Sequence, residues 1–117
     1  MSNFVKLEYP HDGVALITFT DPDRQNNLCW AGVDALAQAL KEARESGTRV
    51  SVIASGLEGH WLEHAWLTDL ANAFEGKPMT GQGAGFFECL QELNEKDVVT
   101  IAAVSGDTSG GGCELGW

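Results

Sequence analysis

The chain has 117 residues, of which 44% are hydrophobic, so it is long enough for one domain with a packed core and too short for two. Seven Lys and Arg against 17 Asp and Glu give a net charge of −10, which disfavours nucleic acid or an anionic membrane surface as a partner. The N-terminus lacks a signal-peptide pattern, and no apolar stretch approaches the roughly 20 residues that span a bilayer. We therefore expect a single cytoplasmic domain over residues 1–117.

The chain opens with a predicted β-hairpin. Residues 4–9 alternate between apolar and polar side chains, and residues 11–13 have the composition of a turn. Residues 14–19 are nearly continuously apolar, which is typical of a strand that is buried on both faces. The hairpin is therefore expected to place its second strand inside the sheet.

A long helix is predicted next. Asn26 or Asn27 could cap it, it would begin near Trp30, and Gly47 would end it. Its apolar residues recur at the spacing of one helix face: Val33, Leu36, Ala37, Leu40 and Ala43. This face is expected to pack against the sheet.

The remaining elements continue the alternation of strands and helices. We expect a strand at residues 50–54, a short helix at 67–74, a mobile loop at 76–85 and a buried strand at 98–104. Between the last two, a second amphipathic helix is indicated by Phe86, Leu90 and Leu93. Buried strands separated by helices predict an α/β fold with substantial parallel pairing.

Two segments directly follow predicted strands: residues 55–67 and residues 105–114. Open α/β sheets bind their ligands at the carboxyl ends of strands. The second segment contains Gly110, Gly111 and Gly112, and a glycine run that opens a helix leaves unbonded N–H groups suited to an anion or a developing oxyanion. Alternatively, these glycines only allow the helix to pack closely on the strand.

Residues 60–64 read HWLEH and match the H-x-x-E-H pattern of inverted zinc metallopeptidases. That site requires the five residues on one helix together with a further carboxylate ligand. Because Gly56 and Gly59 precede the motif, they disfavour such a helix. We therefore expect His60 and His64 to be loop residues and expect no metal, and we keep a zinc hydrolase only as an alternative.

Three motifs together resemble the crotonase superfamily, the enoyl-CoA hydratase/isomerase family. Residues 101–115 match its I-A-A-V-x-G-x-x-x-G-G-G-x-E-L pattern without a gap, and residues 55–67 follow S-G-x-E-G-x-F-x-A-G-A-D-L in register. Residues 21–28 resemble the R-P-x-x-x-N-A-L turn after the second strand. The resemblance covers the whole chain and implies a crotonase-like ββα spiral core, truncated to its N-terminal half.

This resemblance implies chemistry on acyl-CoA thioesters. By position, the N–H groups of Ala65 and Gly111 would form an oxyanion hole that stabilises an enolate. Glu114 would be the first of the family's two catalytic glutamates, which hold and deprotonate water in hydratases. Coenzyme A would enter as part of the substrate, and no separate cofactor is expected.

The resemblance also assigns substrate contacts around this centre. In the turn that contacts coenzyme A, Arg24 is the only cation. The chain departs from the family pattern where His64 replaces a glycine and Trp66 replaces an aspartate, and Trp61 conservatively replaces a phenylalanine. The positions assigned to substrate binding are Arg24, Asn26, Leu28, His64, Trp66 and Gly110.

Family members are roughly twice as long as this chain, a length that the resemblance itself supplies. The second glutamate would lie about a helix and a loop beyond Glu114, past residue 117. A half-length domain is expected to expose apolar surface, which predicts a homo-oligomer or a domain-swapped assembly. Two interpretations follow: a hydratase or isomerase of acyl-CoA thioesters, or a non-catalytic relic that binds a partner or coenzyme A.

Overall fold

A four-stranded sheet forms the centre of the structure. The computed structural model describes residues 3–82 and 85–116. The strands lie in chain order across the sheet: β1 (Val5–His11), β2 (Val14–Phe19), β3 (Val50–Ser55) and β4 (Val99–Ala102). β1 and β2 pair in antiparallel fashion, whereas β2 with β3 and β3 with β4 are parallel. The predicted hairpin and the predicted parallel pairing are both confirmed.

In the described part of the chain, four α-helices connect or follow these strands. They are α1 (Trp30–Glu45), α2 (Leu67–Glu75), α3 (Gly85–Leu93) and α4 (Gly110–Gly116). α1 packs against α3 and against β1 and β2, as the periodicity of its apolar face predicts. Among the described residues, no helix is both long enough and apolar enough to cross a membrane.

The core lies between α1 and the sheet. Alternate residues of β2, namely Ala15, Ile17 and Phe19, are fully buried, and Ile17 and Phe19 pack with the apolar face of α1. The residues between them in β2 are only half-buried. The expectation that β2 is buried on both faces is therefore only partly right, because α1 covers just one of them.

Asn26 does not cap α1, contrary to the sequence-based expectation, and neither does Asn27. The N-cap residue is Cys29, whose Sγ accepts a hydrogen bond from the N–H of Gly32 at 3.3 Å. Asn26 instead lies in the left-handed region with φ 61°, a conformation that asparagine tolerates better than most residues. Its amide is thereby turned into the interior.

The buried Asn26 side chain joins the loop after β2 to the loop after β3. Its Oδ1 accepts from the N–H of Asp21 at 2.8 Å, and its Nδ2 donates to Ser55 Oγ at 2.8 Å and to the carbonyl of Trp61 at 2.9 Å. All three bonds are internal, and the side chain has no exposed surface. Asn26 therefore fixes the relative position of two loops.

The predicted buried strand at 98–104 is shorter and more exposed than expected. β4 comprises Val99–Ala102, and within the described ranges it has a neighbour only on its β3 side. Val99, Ile101 and Val104 are 62%, 48% and 52% exposed. β4 is thus an edge strand, and one of its faces presents apolar side chains to solvent.

The loop predicted at 76–85 is attached to the domain at several points. The N–H and hydroxyl of Thr80 both bond to the carboxylate of Asp69 on α2. The N–H groups of Gln82 and Gly85 bond to Asp34 on α1. Residues 83 and 84 of the predicted loop lie outside the described residues.

Replacing Asn26 with aspartate is expected to destabilise the fold by about 2–4 kcal/mol, because two buried donors are lost and a carboxylate faces the Trp61 carbonyl. Asn27→Asp adds the same charge to a half-buried neighbour and serves as the control. Urea unfolding measures both variants. Equal stability of the two variants would contradict the structural role given to Asn26.

Candidate active site

The loops that follow β3 and β4 lie side by side at the carboxyl ends of these parallel strands. His60 and Asp107 form an isolated parallel bridge. The N–H of Trp61 donates to the Asp107 carbonyl at 2.8 Å, and the N–H of Asp107 donates to the Gly59 carbonyl at 2.9 Å. The two segments singled out from the sequence are therefore brought together.

The glycine run serves close packing at two of its three positions. Gly110 has φ +46°, and a Cβ there would lie 2.6 Å from the Cβ of His64. A Cβ on Gly112 would overlap the carbonyl group of Leu62. A Cβ on Gly111 would meet only Phe86 and Leu28 side-chain carbons, at 3.4 and 3.6 Å. Close packing therefore explains why positions 110 and 112 are glycines, whereas Gly111 lies in a less crowded environment.

The backbone around Ala65 is held extended by Leu28. The N–H of Leu28 donates to the His64 carbonyl and the N–H of Trp66 donates to the Leu28 carbonyl, each at 2.8 Å. Because successive N–H groups of an extended segment point in opposite directions, the Ala65 N–H faces away from Leu28. In the described part of the chain, neither this N–H nor that of Gly111, in the first turn of α4, meets an acceptor.

Ala65, Gly111 and Glu114 line one cavity of about 270 Å³. The other residues of its wall are apolar: Leu28, Trp30, Val33, Phe86 and Phe87. Glu114 is exposed, and it also borders a second cavity that residues of β3, β4 and α3 line. The structure thus brings the three predicted catalytic positions together beside a surface suited to an apolar group.

Arg24 and Trp66, the residue that follows Ala65, form a stacked pair. The guanidinium carbon of Arg24 lies 4.5 Å from the centroid of a Trp66 ring and 5.9 Å from that of Phe4. Arg24 Nη1 also lies 3.2 Å from Asp21 Oδ2, and its buried Nε has no partner among the described residues. The positive charge of Arg24 is therefore partly neutralised and held in one place.

The other residues assigned to substrate binding occupy different environments. Asn26 and Leu28 are buried, and Leu28 reaches the cavity with its side chain. His64 is exposed, and its Nδ1 lies 2.8 Å from the Ala65 carbonyl oxygen. Although His64 occupies a glycine position of the family pattern, it has an ordinary φ, because Gln25 and Asn26 are the only described non-glycine residues with positive φ.

The H-x-x-E-H residues 60–64 do not form a helix, so the geometry that an inverted zinc metallopeptidase requires is missing at this segment. A different set, His60, Glu63 and Asp107, has donor atoms within 4.8 Å of one another and could hold a divalent cation. The carboxylate of Glu63 is already engaged, however, since it lies 2.8 Å from His60 Nδ1 and accepts the hydroxyl of Ser109 at 2.8 Å.

Glu63 links the two loops electrostatically. Burial alone would raise the pKa of Glu63, but its hydrogen bonds with His60 and Ser109 and the nearby histidine charges together hold this pKa below its ordinary value. Its backbone carbonyl also accepts the N–H of Gly112 at 3.0 Å. Glu63 is therefore an ionised group that joins the Ala65 segment to the start of α4.

Several residues of the site were not found by sequence reasoning. Trp30, Phe86 and Phe87 read as ordinary helix residues, yet they line the cavity. Asp69 is fully buried although an aspartate in a short amphipathic helix is usually exposed. Each becomes recognisable only once the three-dimensional neighbours of α1, α2 and α3 are known.

The fold and the cavity define an α/β domain of the crotonase type. The chain belongs to the enoyl-CoA hydratase/isomerase family, whose sequence model matches residues 10–117. A curated relative, the fatty acid oxidation complex subunit alpha of Idiomarina loihiensis, is 29% identical over 114 residues, which cover 93% of this chain and 16% of the relative.

Solved structures agree with this assignment. An enoyl-CoA hydratase/isomerase from Marinobacter aquaeolei matches with a TM-score of 0.77 and 25% identity, over 97% of this chain and 46% of its own. An enoyl-CoA hydratase from Thermoplasma volcanium matches the fold with a TM-score of 0.76 and 24% identity, over 97% and 45%. The chain thus spans about half the length of these structures, as the resemblance implied.

Gly112→Ala is expected to destabilise the protein by about 3 kcal/mol, because a methyl group there cannot avoid the Leu62 backbone without moving one of the two loops. Gly111→Ala is the matched control in the same helix turn, and its cost should stay near the ordinary range for a surface site, within about 1 kcal/mol. Denaturant unfolding of both variants measures the difference, and similar losses would contradict the packing described for α4.

Proposed function

We propose that this chain provides the first half of an active site that acts on acyl-CoA thioesters. The observation that carries the proposal is that Ala65 and Gly111, whose N–H groups have no acceptor in the described structure, line one cavity together with Glu114. Family membership supports the substrate class. Coenzyme A is part of the substrate, and the proposal requires no further cofactor.

The two N–H groups would bind the thioester carbonyl oxygen. Negative charge grows on that oxygen as an enolate forms, so fixed donors stabilise the transition state more than the bound substrate. A single donor of this kind typically contributes about 3–4 kcal/mol. Leu28 supports the arrangement because its two backbone bonds orient the Ala65 segment.

Glu114 would act as the acid/base group. It follows Gly111 by one helical turn on α4 and shares the cavity with it, so it can reach the carbons next to a thioester held there. In a hydratase this role is to hold and deprotonate the water that adds across the double bond. An isomerase would use the same carboxylate to move a proton.

The Arg24–Trp66 pair is the proposed contact for coenzyme A. Arg24 is fixed by Asp21 and by the Trp66 ring next to Ala65, so its remaining donors are positioned without a large entropic cost on binding. Trp66 replaces the aspartate of the family pattern, which removes one negative charge near an anionic ligand. Both features favour a phosphate-bearing substrate.

A second candidate is a non-catalytic module that binds coenzyme A esters or a partner subunit. The exposed face of β4, formed by Val99 and Ile101, favours it, because apolar edge strands are sites of association. The same face would receive further chain in the enzyme interpretation. Both candidates allow a coenzyme A ester to bind, but only the enzyme converts it to a product.

Glu114→Gln is expected to reduce consumption of crotonyl-CoA by about 100-fold or more, since general acid–base groups typically contribute 10²–10⁴-fold. Loss of the enoyl-thioester absorbance measures the rate, and isothermal titration with butyryl-CoA, which has no double bond to hydrate, measures binding. Binding should change little, because the two N–H groups remain.

Glu58→Gln removes an exposed carboxylate from the same loop region as Ala65 and is the matched control. If the original chain and Glu114→Gln consume crotonyl-CoA equally slowly while butyryl-CoA still binds, turnover by this chain through Glu114 is overturned and the binding module is favoured. If butyryl-CoA does not bind, the acyl-CoA site itself is wrong.

Ile101→Lys is expected to shift the protein towards the monomer, because it places a charge on the exposed face of β4. Sedimentation velocity over a range of concentrations measures the distribution. Phe74→Lys is the control, since Phe74 on α2 is 90% exposed and equally apolar. Equal effects of both substitutions would show that general surface hydrophobicity, and not the β4 face, drives association.

A further inference from the structure

Asp69 is a buried carboxylate that has no role in the proposed reaction. It has no exposed surface, and it accepts hydrogen bonds from the N–H of Trp30 at 2.8 Å, the N–H of Thr80 at 2.9 Å and the Thr80 hydroxyl at 2.5 Å. Burial alone would raise the pKa of Asp69, but these hydrogen bonds and the charge of Arg24 hold it below its ordinary value. Asp69 is therefore an ionised anchor inside the protein.

The Thr80 hydroxyl extends this anchor to α1. While it donates to Asp69 Oδ2, it accepts the N–H of Ala31 at 3.1 Å. Two N–H groups of the first turn of α1, those of Trp30 and Ala31, thus donate to the Asp69 carboxylate and the Thr80 hydroxyl, which are bonded to each other. We call this pair the Asp69–Thr80 clamp.

A second carboxylate continues the connection from the clamp to α3. Asp34, one turn into α1, accepts the N–H of Gln82 at 3.2 Å and that of Gly85 at 3.0 Å. Gly85 is the first residue of α3, and a Cβ there would overlap Asp34. The start of α3 is therefore fixed on α1 by backbone donors and carboxylate acceptors, with Thr80 at the other end of the same segment.

Both helix starts carry aromatic residues of the cavity wall. Trp30 begins α1, and Phe86 and Phe87 follow Gly85 in α3. All three line the cavity that also contains Ala65, Gly111 and Glu114. Phe86 and Phe87 meet edge to face, with ring centroids 6.0 Å apart. The clamp consequently holds the aromatic wall without touching the space where a ligand would lie.

We propose that the Asp69–Thr80 clamp is a positioning device that makes the cavity selective for longer acyl groups by keeping its aromatic wall ordered before the ligand binds. This inference rests on the proposed acyl-CoA site. A long acyl group gains more affinity from a preformed apolar wall than a short one, because it contacts more of that wall. Loosening the clamp therefore weakens binding of long acyl groups selectively.

The test compares Thr80→Val with the original chain in isothermal titrations with acetyl-CoA and hexanoyl-CoA. Valine keeps the shape and the backbone N–H bond to Asp69 but removes the hydroxyl that joins Asp69 to Ala31. The Kd of hexanoyl-CoA should rise about 5-fold, the factor expected for one net hydrogen bond. The Kd of acetyl-CoA should remain within about twofold.

Two controls separate positioning from general damage. Thr80→Ser restores the hydroxyl and should return the hexanoyl-CoA affinity to that of the original chain. Thr68→Val makes the same replacement at an exposed position of α2 and should change neither Kd. Hydrogen exchange of the Ala31 amide should accelerate only in Thr80→Val.

The outcomes also separate this inference from the proposed function. If both esters bind the original chain and Thr80→Val weakens them equally, or weakens neither, the clamp does not govern acyl length and only this inference is overturned. If neither ester binds the original chain, the acyl-CoA site is overturned and the role of the clamp is overturned with it.

Discussion

The junction between the loops after β3 and β4 is the constraint on which the rest of the structure depends. Backbone groups make most of it, through the His60–Asp107 bridge and the N–H of Gly112 that donates to the Glu63 carbonyl. The Ser109 hydroxyl adds a bond to the Glu63 carboxylate. Because parallel strands end at the same edge of the sheet, pairing β3 with β4 already brings the two loops close. Close contact of Gly112 with Leu62 then fixes the start of α4, and with it the direction of the Gly111 N–H.

Once the backbone is joined in this way, polar side chains hold the surroundings. Asn26 connects the loops after β2 and β3 at 2.8–2.9 Å, and Asp69 connects α2 with the first turn of α1. Both side chains are fully buried and all their polar atoms are bonded, which is the condition under which buried polar groups order a structure. The cavity therefore has a rigid polar frame behind an apolar lining.

Sequence reasoning predicted most of the regular structure, because hydrophobic periodicity and turn residues are local signals. It placed the hairpin, the parallel pairing and the helices α1, α2 and α3 near their observed bounds. It failed where tertiary contacts decide. Asparagine is a common helix N-cap residue, but the side chain of Asn26 instead donates hydrogen bonds to Ser55 and Trp61, which are 29 and 35 residues away. The exposure of β4 depends on what lies beside it in space, which no local pattern reports.

Charge places a further demand on the site. The chain carries a net charge of −10, so the coenzyme A ester of the proposed function would be repelled at long range and would have to be held by short-range donors. Backbone N–H groups suit this demand, because they are dipolar and attract the thioester oxygen without needing a positive side chain. Arg24 stacks on the ring of Trp66, the residue after Ala65, and its pairing with Asp21 limits how much of its charge reaches a ligand. The proposed acyl-CoA site would therefore depend more on recognition of the thioester than on recognition of the phosphates.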